Sequence, residues 1–308
     1  MKNFLKVTGF KTVLLAALLI ALGLSPAFAH NALIYTDKAT APVGTEVEIG
    51  TSTSGGPFGT PDMPFLSNAN LDYDYGPVKV VVFDGGKAAD IDMSLCGSND
   101  GEKKKLSEQE IEAAFNEVKK GNPDLASWAV MPKVFNSNLG THKVASEGTV
   151  TIVGCSVYGK QTAVKNLMKT YVNLKADGES RVARAQHLGF DGIELMPVDD
   201  LATVRPGGTV KVQAVLDGKP QSGVIVYSGA KGLPESERIC NIDNYLEMHE
   251  PYHDAGVTDR DGFVTLKLPN LFGGAKELRD VYILTEGHLT IAPKVRYRST
   301  ITFNIDEK

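Results

Sequence analysis

Three cysteines and a single tryptophan occur in 308 residues. Cys96, Cys155 and Cys240 are too few for a scaffold built on disulfides, and an odd count leaves at least one thiol unpaired. Excess positive charge is also missing: 32 Lys and Arg stand against 37 Asp and Glu, which removes the electrostatic basis for nucleic-acid binding. The longest apolar run, Val13 to Leu24, has 12 residues, short of the roughly 20 that a membrane-spanning helix needs. No Gly-x-Ser-x-Gly elbow, phosphate loop, dinucleotide fingerprint or Cys-x-x-Cys pair is present, so no enzymatic signature is offered. Carboxylate pairs such as Asp199-Asp200 and Asp72 with Asp74 are common in β loops and mark no acid–base couple.

What is present begins with a leader. Lys2, Lys6 and Lys11, the apolar run and then Ala27-Phe28-Ala29 form the three parts of a secretory signal peptide over residues 1–29. A periplasmic or secreted product is expected, with no membrane insertion of the mature chain. No cysteine follows the cleavage point, so no lipid anchor is expected either. Cleavage leaves 279 residues (308 minus 29) and removes three lysines, moving the net charge from −5 to −8 (29 minus 37). That length suits two domains, each able to bury a core without metal or disulfide. The acidic balance is compatible with cation binding and equally with a well-solvated surface.

The fold class expected is all-β: two immunoglobulin-like β-sandwich domains, residues 30–185 and 186–308, with a short helical insertion in the first. Strand-like runs at Ala32–Tyr35, Glu46–Thr51, Val78–Phe83 and Thr149–Tyr158 are bounded by Gly, Pro, Asp and Asn. Ser107 opens the helix, with Ile111, Ala114, Phe115 and Val118 at helical spacing before Gly121-Asn122-Pro123 stops it. Gly55 to Asn70 reads as a long surface loop. In the second half, Val210 to Leu216 turns through Asp217-Gly218-Lys219-Pro220 into Val224–Tyr227, which reads as a solvent-facing hairpin. A second pair, Ala255–Thr258 and Phe263–Leu268, is joined by Asp259-Arg260-Asp261-Gly262, whose glycine can supply a positive φ. Val281–Thr285 and Thr300–Ile305 close the chain. Cys155, inside an apolar run, reads as a small buried hydrophobe, which leaves Cys96 and Cys240 as the pair for a bridge.

Histidine carries most of the chemistry. Cleavage after Ala29 makes His30 the first mature residue, able to chelate one metal through both its α-amine and its imidazole, against the alternative that signal peptidase simply tolerates it there. His249-Glu250-Pro251-Tyr252-His253, between Glu247 and Asp254, gathers two imidazoles and several carboxylates. It is not a zinc-protease motif, because Pro251 breaks the helix that such a motif requires. Its plain alternative is an exposed polar loop. His288 stands at the end of a strand-like run, at an edge where a side chain could meet the preceding loop, whereas His142 and His187 have no evident partners nearby.

These stretches resemble the domain of unknown function family 4198, described as similar to periplasmic components of cobalt or nickel uptake systems. The resemblance rests on Gly192-Ile193-Glu194-Leu195-Met196-Pro197, Arg205-Pro206-Gly207-Gly208, Leu216-Asp217-Gly218-Lys219-Pro220, Thr258-Asp259-Arg260-Asp261-Gly262 and the strand leading to His288. Earlier in the chain it rests on Ala29-His30 and Pro42-Val43-Gly44. Where family members often have Gly-His-Pro-Phe, this chain has Gly55-Gly56-Pro57-Phe58, so one ligand is replaced by glycine, and the Cys96–Gly140 segment is longer than the family pattern. The resemblance implies nickel or cobalt as the favoured ion, with copper or zinc also compatible, and a membrane metal-transport system as partner.

The resulting expectation is a non-enzymatic metal-binding protein with His30, His249, His253 and His288 as ligands. Two alternatives differ in class. A structural or adhesive β-sandwich module would hold no stoichiometric metal. A copper-dependent oxidative enzyme would use the amino-terminal histidine as part of a copper brace like that of secreted polysaccharide-cleaving enzymes.

Overall fold

The structure is a computed structural model. It describes residues 31–54, 61–63, 79–99, 102–105, 107, 109, 137–158, 163–176, 189–230, 252–270, 282–292 and 295–304. These residues all belong to one unit, His30–Cys240 with His249–Lys308; the other unit, Met1–Ala29 with Asn241–Met248, lies outside them.

Among the described residues the fold is all-β. In chain order the strands are β1 (Asn31–Thr36), β2 (Glu46–Ser54), β3 (Pro61–Met63), β4 (Lys79–Asp84), β5 (Lys87–Ile91) and β6 (Ser94–Asn99). There follow β7 (Glu102–Lys105), β8 (Ser137–Lys143), β9 (Val150–Tyr158), β10 (Ala163–Val172), β11 (Ile193–Pro197) and β12 (Thr209–Leu216). The last are β13 (Lys219–Pro220), β14 (Ile225–Ala230), β15 (Tyr252–Val257), β16 (Phe263–Lys267), β17 (Tyr282–Ala292) and β18 (Val295–Asn304). The helix expected over Ser107–Val118 falls, apart from Ser107 and Gln109, outside the described residues, as does Cys240.

The strands form three sheets. The first runs β1-β2-β8-β6-β7 with β3 on β2, the second β15-β14-β17-β18-β10-β9-β4-β5, and the third β11-β12-β13 with β16 on β12. The long second sheet is the middle layer. On one face Ile34, Val47 and Ile49 of the first sheet pack with Val80, Ile152, Met168 and Val172. On the other face Leu195, Val212 and Leu266 of the third sheet pack with Tyr171, Val226, Ile301 and Phe303. The boundary expected near residue 185 therefore separates two cores, Tyr171 and the partly buried Leu174 excepted, but not the sheet, which crosses it where β10 pairs with β18 in parallel.

Where the outer layers overlap, the middle strands have no wet face. Leu167 to Val172 and Arg298 to Phe303 are buried at every position, the pattern of a strand covered on both sides. Polar residues within these runs need partners. Lys169 ion-pairs with Glu194 of β11 and donates to the Leu195 carbonyl, while Ser299 Oγ accepts from the Leu195 amide at 3.0 Å. Among the described residues strand β11 pairs with β12 alone, so these side chains occupy an edge that otherwise exposes unpaired backbone groups.

Both hairpins expected in the second half are instead corners between sheets. Strands β12 and β14 lie in different sheets, as do β16 and β15. Asp217 (φ 51) and Gly218 (φ 77) make a tight turn, but it closes only the two-residue strand β13 before the chain passes to the middle sheet. Val210, Val212 and Ala214 then face Val224 and Val226 across a core rather than solvent. Gly262 acts as its turn requires: φ is 78, and an added Cβ would come within 2.6 Å of the Ala214 carbonyl oxygen. Gly262→Ala is expected to cost about 1–3 kcal/mol, read as a lower urea midpoint; an unchanged midpoint would refute this role.

Candidate functional site

The middle sheet's registers line up one transverse row of residues on the face that carries the first sheet: Ser156, Asn166, Arg298, His288, Ile225 and Val257. The next row, one pleat on, is Gly154, Met168, Thr300, Glu286, Tyr227 and Ala255. Directly paired residues share a face, and Met168 packing under Ile34 and Ile49 identifies which one. Exposure climbs along the first row, from 1 % at Asn166 and 3 % at Arg298 to 38 % at Ile225 and 61 % at Val257. In the register His288 stands between Arg298 and Ile225. It lies inside β17, between β14 and β18, and not at the strand end and edge expected from sequence.

Strand β1 begins above this row. Thr302 Oγ1 donates to the Ile34 carbonyl at 2.9 Å. Farther along, Asn173 at the end of β10 donates its amide to Ala39 and brackets Ala41 with its side chain. The chain from β1 onward thus runs in the direction of β10 and β18. Asn31 is three residues back from Ile34, and Arg298 is four back from Thr302, offsets of roughly 10 and 13 Å at strand rise, so both reach nearly the same level. The residue before Asn31 is His30, which lies outside the described residues.

Asn166 has its amide fixed, Nδ2 donating to Ser156 Oγ at 3.1 Å, while its Oδ1 is buried with no hydrogen-bond partner. The buried polar members of this row were missed in the sequence. The available signal was polar residues at alternate positions of strands that are otherwise apolar.

His253 is placed elsewhere. Tyr252 pairs with Gly229 and Asp254 with Ser228, so His253 is the extra residue of a β-bulge, a device that re-aims side chains. Its neighbours are fixed: Tyr252 is buried and stacks on Tyr227 with ring centroids 4.5 Å apart, and Asp254 Oδ2 accepts from the Lys267 amide at 2.7 Å. Two strands and three to four residues separate His253 from His288, about 15 Å between Cα atoms, against roughly 13 Å for two imidazoles sharing one ion. His249 and His187 lie outside the described residues, as do the side chains of His288 and Glu286. Among the described residues no three His, Cys, Asp or Glu side chains gather as a metal-binding group, and no helix is long and apolar enough to cross a membrane.

His142 does have a partner, contrary to the reading from sequence. Its Nε2 is 2.8 Å from Asp84 Oδ2, which also accepts from the Ala145 amide at 2.6 Å, and Ser146 Oγ donates to Asp84 Oδ1. Burial pushes the Asp84 pKa up, but the hydrogen bonds from Ser146, His142 and Ala145 outweigh it and hold the carboxyl below its ordinary value. With a depressed folded pKa, the contribution of Asp84 is fully present above the unfolded value of about 3.9 and disappears as pH falls through the folded one. Asp84→Asn is expected to cost about 1–3 kcal/mol at neutral pH and to flatten the acid limb of a stability-versus-pH curve. An identical acid limb in the variant would count against it.

Asp199 and Asp200 line a surface cleft with Thr203, Arg205 and Thr209. Both carboxylates support local backbone, Asp199 accepting from the Lys211 amide and Asp200 from that of Ala202. Cys155 is a free, half-buried thiol against Val153 and Leu167, and burial raises its pKa despite the charge of Lys79.

No curated protein matches the chain. Among solved structures, the D0–D1 domain of intimin is 12 % identical, with 88 % of this chain and 97 % of that one covered and a TM-score of 0.21. A type II cohesin dyad from the adaptor ScaA scaffoldin of Acetivibrio cellulolyticus is 12 % identical over 91 % of this chain and 99 % of that one, with a TM-score of 0.25. Scores at this level do not equate the folds. A family model does match, over residues 27–271: the chain belongs to the family described as domain of unknown function DUF4198.

Proposed function

We propose that the mature chain is an exported, non-catalytic protein that binds one transition-metal ion between His30, through its α-amine and imidazole, and His288. One observation carries this reading: β1 opens at the level of the row that holds His288, on the face that row presents. The nitrogen set suits nickel, cobalt, copper or zinc. Handling of nickel or cobalt for a membrane transport system is the role suggested by the family resemblance. The reading rests on His30 and His288 and does not require His253 or His249.

The test is native mass spectrometry of protein exported with its own leader and titrated with nickel, cobalt, copper and zinc. The expected result is an amino terminus at His30 and one retained ion. A different amino terminus, or no retained ion, would refute the reading. That outcome would favour a β-sandwich interaction module, for which the exposed cross-strand pair Ile225 and Val257 at edge strand β15 is the specific support.

A further inference from the structure

We infer that the surface cleft formed by the loop from β11 to β12 binds a basic amino acid, a ligand with two ammonium groups and one carboxylate. This goes beyond the metal reading and shares no residue with it. The cleft encloses about 620 Å³, inside the range of about 300–1,000 Å³ usual for small-molecule sites. Three charges line it, the carboxylates of Asp199 and Asp200 and the guanidinium of Arg205. Each is held by nearby backbone. Asp199 Oδ2 accepts from the Lys211 amide at 2.6 Å, and Asp200 Oδ1 accepts from the Ala202 amide at 3.1 Å. Arg205 Nη1 donates to the carbonyls of Ala202 and Val204 at 3.1 and 2.8 Å. The turn that carries Arg205 is fixed as well, the Gly208 amide donating to the Arg205 carbonyl and the Gly207 amide to that of Pro269. An exposed arginine ordinarily keeps many rotamers, and ordering it costs entropy. Here that cost falls on folding and not on the ligand.

Held this way, the opposite charges do not neutralise one another. Among the described residues Arg205 forms no ion pair, although two carboxylates share its cleft. Each aspartate spends one oxygen on a backbone amide and keeps the other, and Arg205 keeps Nη2 and Nε. Two negative charges and one positive are complemented by the reverse set, and a basic α-amino acid carries it. Its carboxylate suits the planar fork of the guanidinium, and its two ammonium groups suit the aspartates. A bare metal ion fits less well, because the guanidinium in the same cleft repels it.

The experiment is calorimetric titration of the full exported chain with L-lysine and with three analogues that each lack one charge. Cadaverine lacks the carboxylate, norleucine the side-chain ammonium, and Nα-acetyl-lysine, which stands for a chain ending in lysine, the α-ammonium. Lysine is expected to bind at one site, and each analogue at least ~10-fold more weakly. Asp199→Asn and Asp200→Asn keep the oxygen that the backbone amide uses, and each is expected to weaken lysine at least ~10-fold. Arg205→Gln is expected to abolish the preference for lysine over cadaverine. No saturable binding of lysine up to about 10 mM, or equal binding of lysine and cadaverine by the parent, overturns the inference. Lysine binding unchanged by Arg205→Gln also overturns it, by placing the ligand elsewhere. Equal binding of Nα-acetyl-lysine overturns the free amino acid in favour of a chain terminus. Should Arg205→Gln not fold, the parent's discrimination between lysine and cadaverine decides.

Discussion

Replacing Lys169 with methionine is expected to destabilise the protein by about 3–5 kcal/mol, the usual consequence of leaving one charge of a buried pair alone. Lys169 is 1 % exposed and Glu194 5 %, and the two join the middle sheet to the edge of the third. The substitution keeps most of the side chain's volume, so the loss comes from the ion pair removed from the buried Glu194 carboxylate and from the Leu195 carbonyl that Lys169 also serves. The double variant Lys169→Met with Glu194→Leu is expected to recover most of the stability, because a well-packed apolar pair avoids the cost of desolvating two charges. Urea unfolding of both single variants and the double variant closes the cycle. A double variant no more stable than Lys169→Met alone would show that packing, and not a stranded charge, sets the cost.

The second large effect concerns the ion. His288→Ala is expected to lower metal affinity by about 100-fold or more, since it removes a proposed direct ligand where even supporting groups matter by 10- to 100-fold. Extending the amino terminus by one alanine ahead of His30 should be comparably damaging, because it moves the α-amine out of the chelate. His253→Ala should bind as the parent does. Affinity should fall as pH drops below about 6.5, where a proton competes for each imidazole. Equal losses from His253→Ala and His288→Ala would bring His253 into the site, and an affinity unchanged from pH 7.5 to 5 would remove histidine from it.

The limits of the sequence are those of local pattern. Strand positions were legible because alternation and turn residues are local: the runs at Glu46, Val78 and Thr149 become β2, β4 and β9, and Gly262 adopts its positive φ. Pairing was not. Alternation in β12 is the same whether its successor lies beside it or across a core, so two corners passed for hairpins. The candidate site was half legible. His30 and His288 stand out as histidines, but Asn166 and Arg298 meet only through a parallel register between distant strands. Asp84 and His142, 58 residues apart, likewise become neighbours only through tertiary structure.

The parallel pairing of β10 with β18 has a consequence for the order of events during synthesis. The middle layer centres on a strand pair whose second member follows the first by more than a hundred residues, and Thr302 reaches back 268 positions to Ile34. Such contacts give little until the intervening loop has been closed, and they slow folding. A nascent chain stopped short of residue 295 lacks the centre of its middle layer and cannot complete the core under the third sheet, to which Ile301 and Phe303 belong.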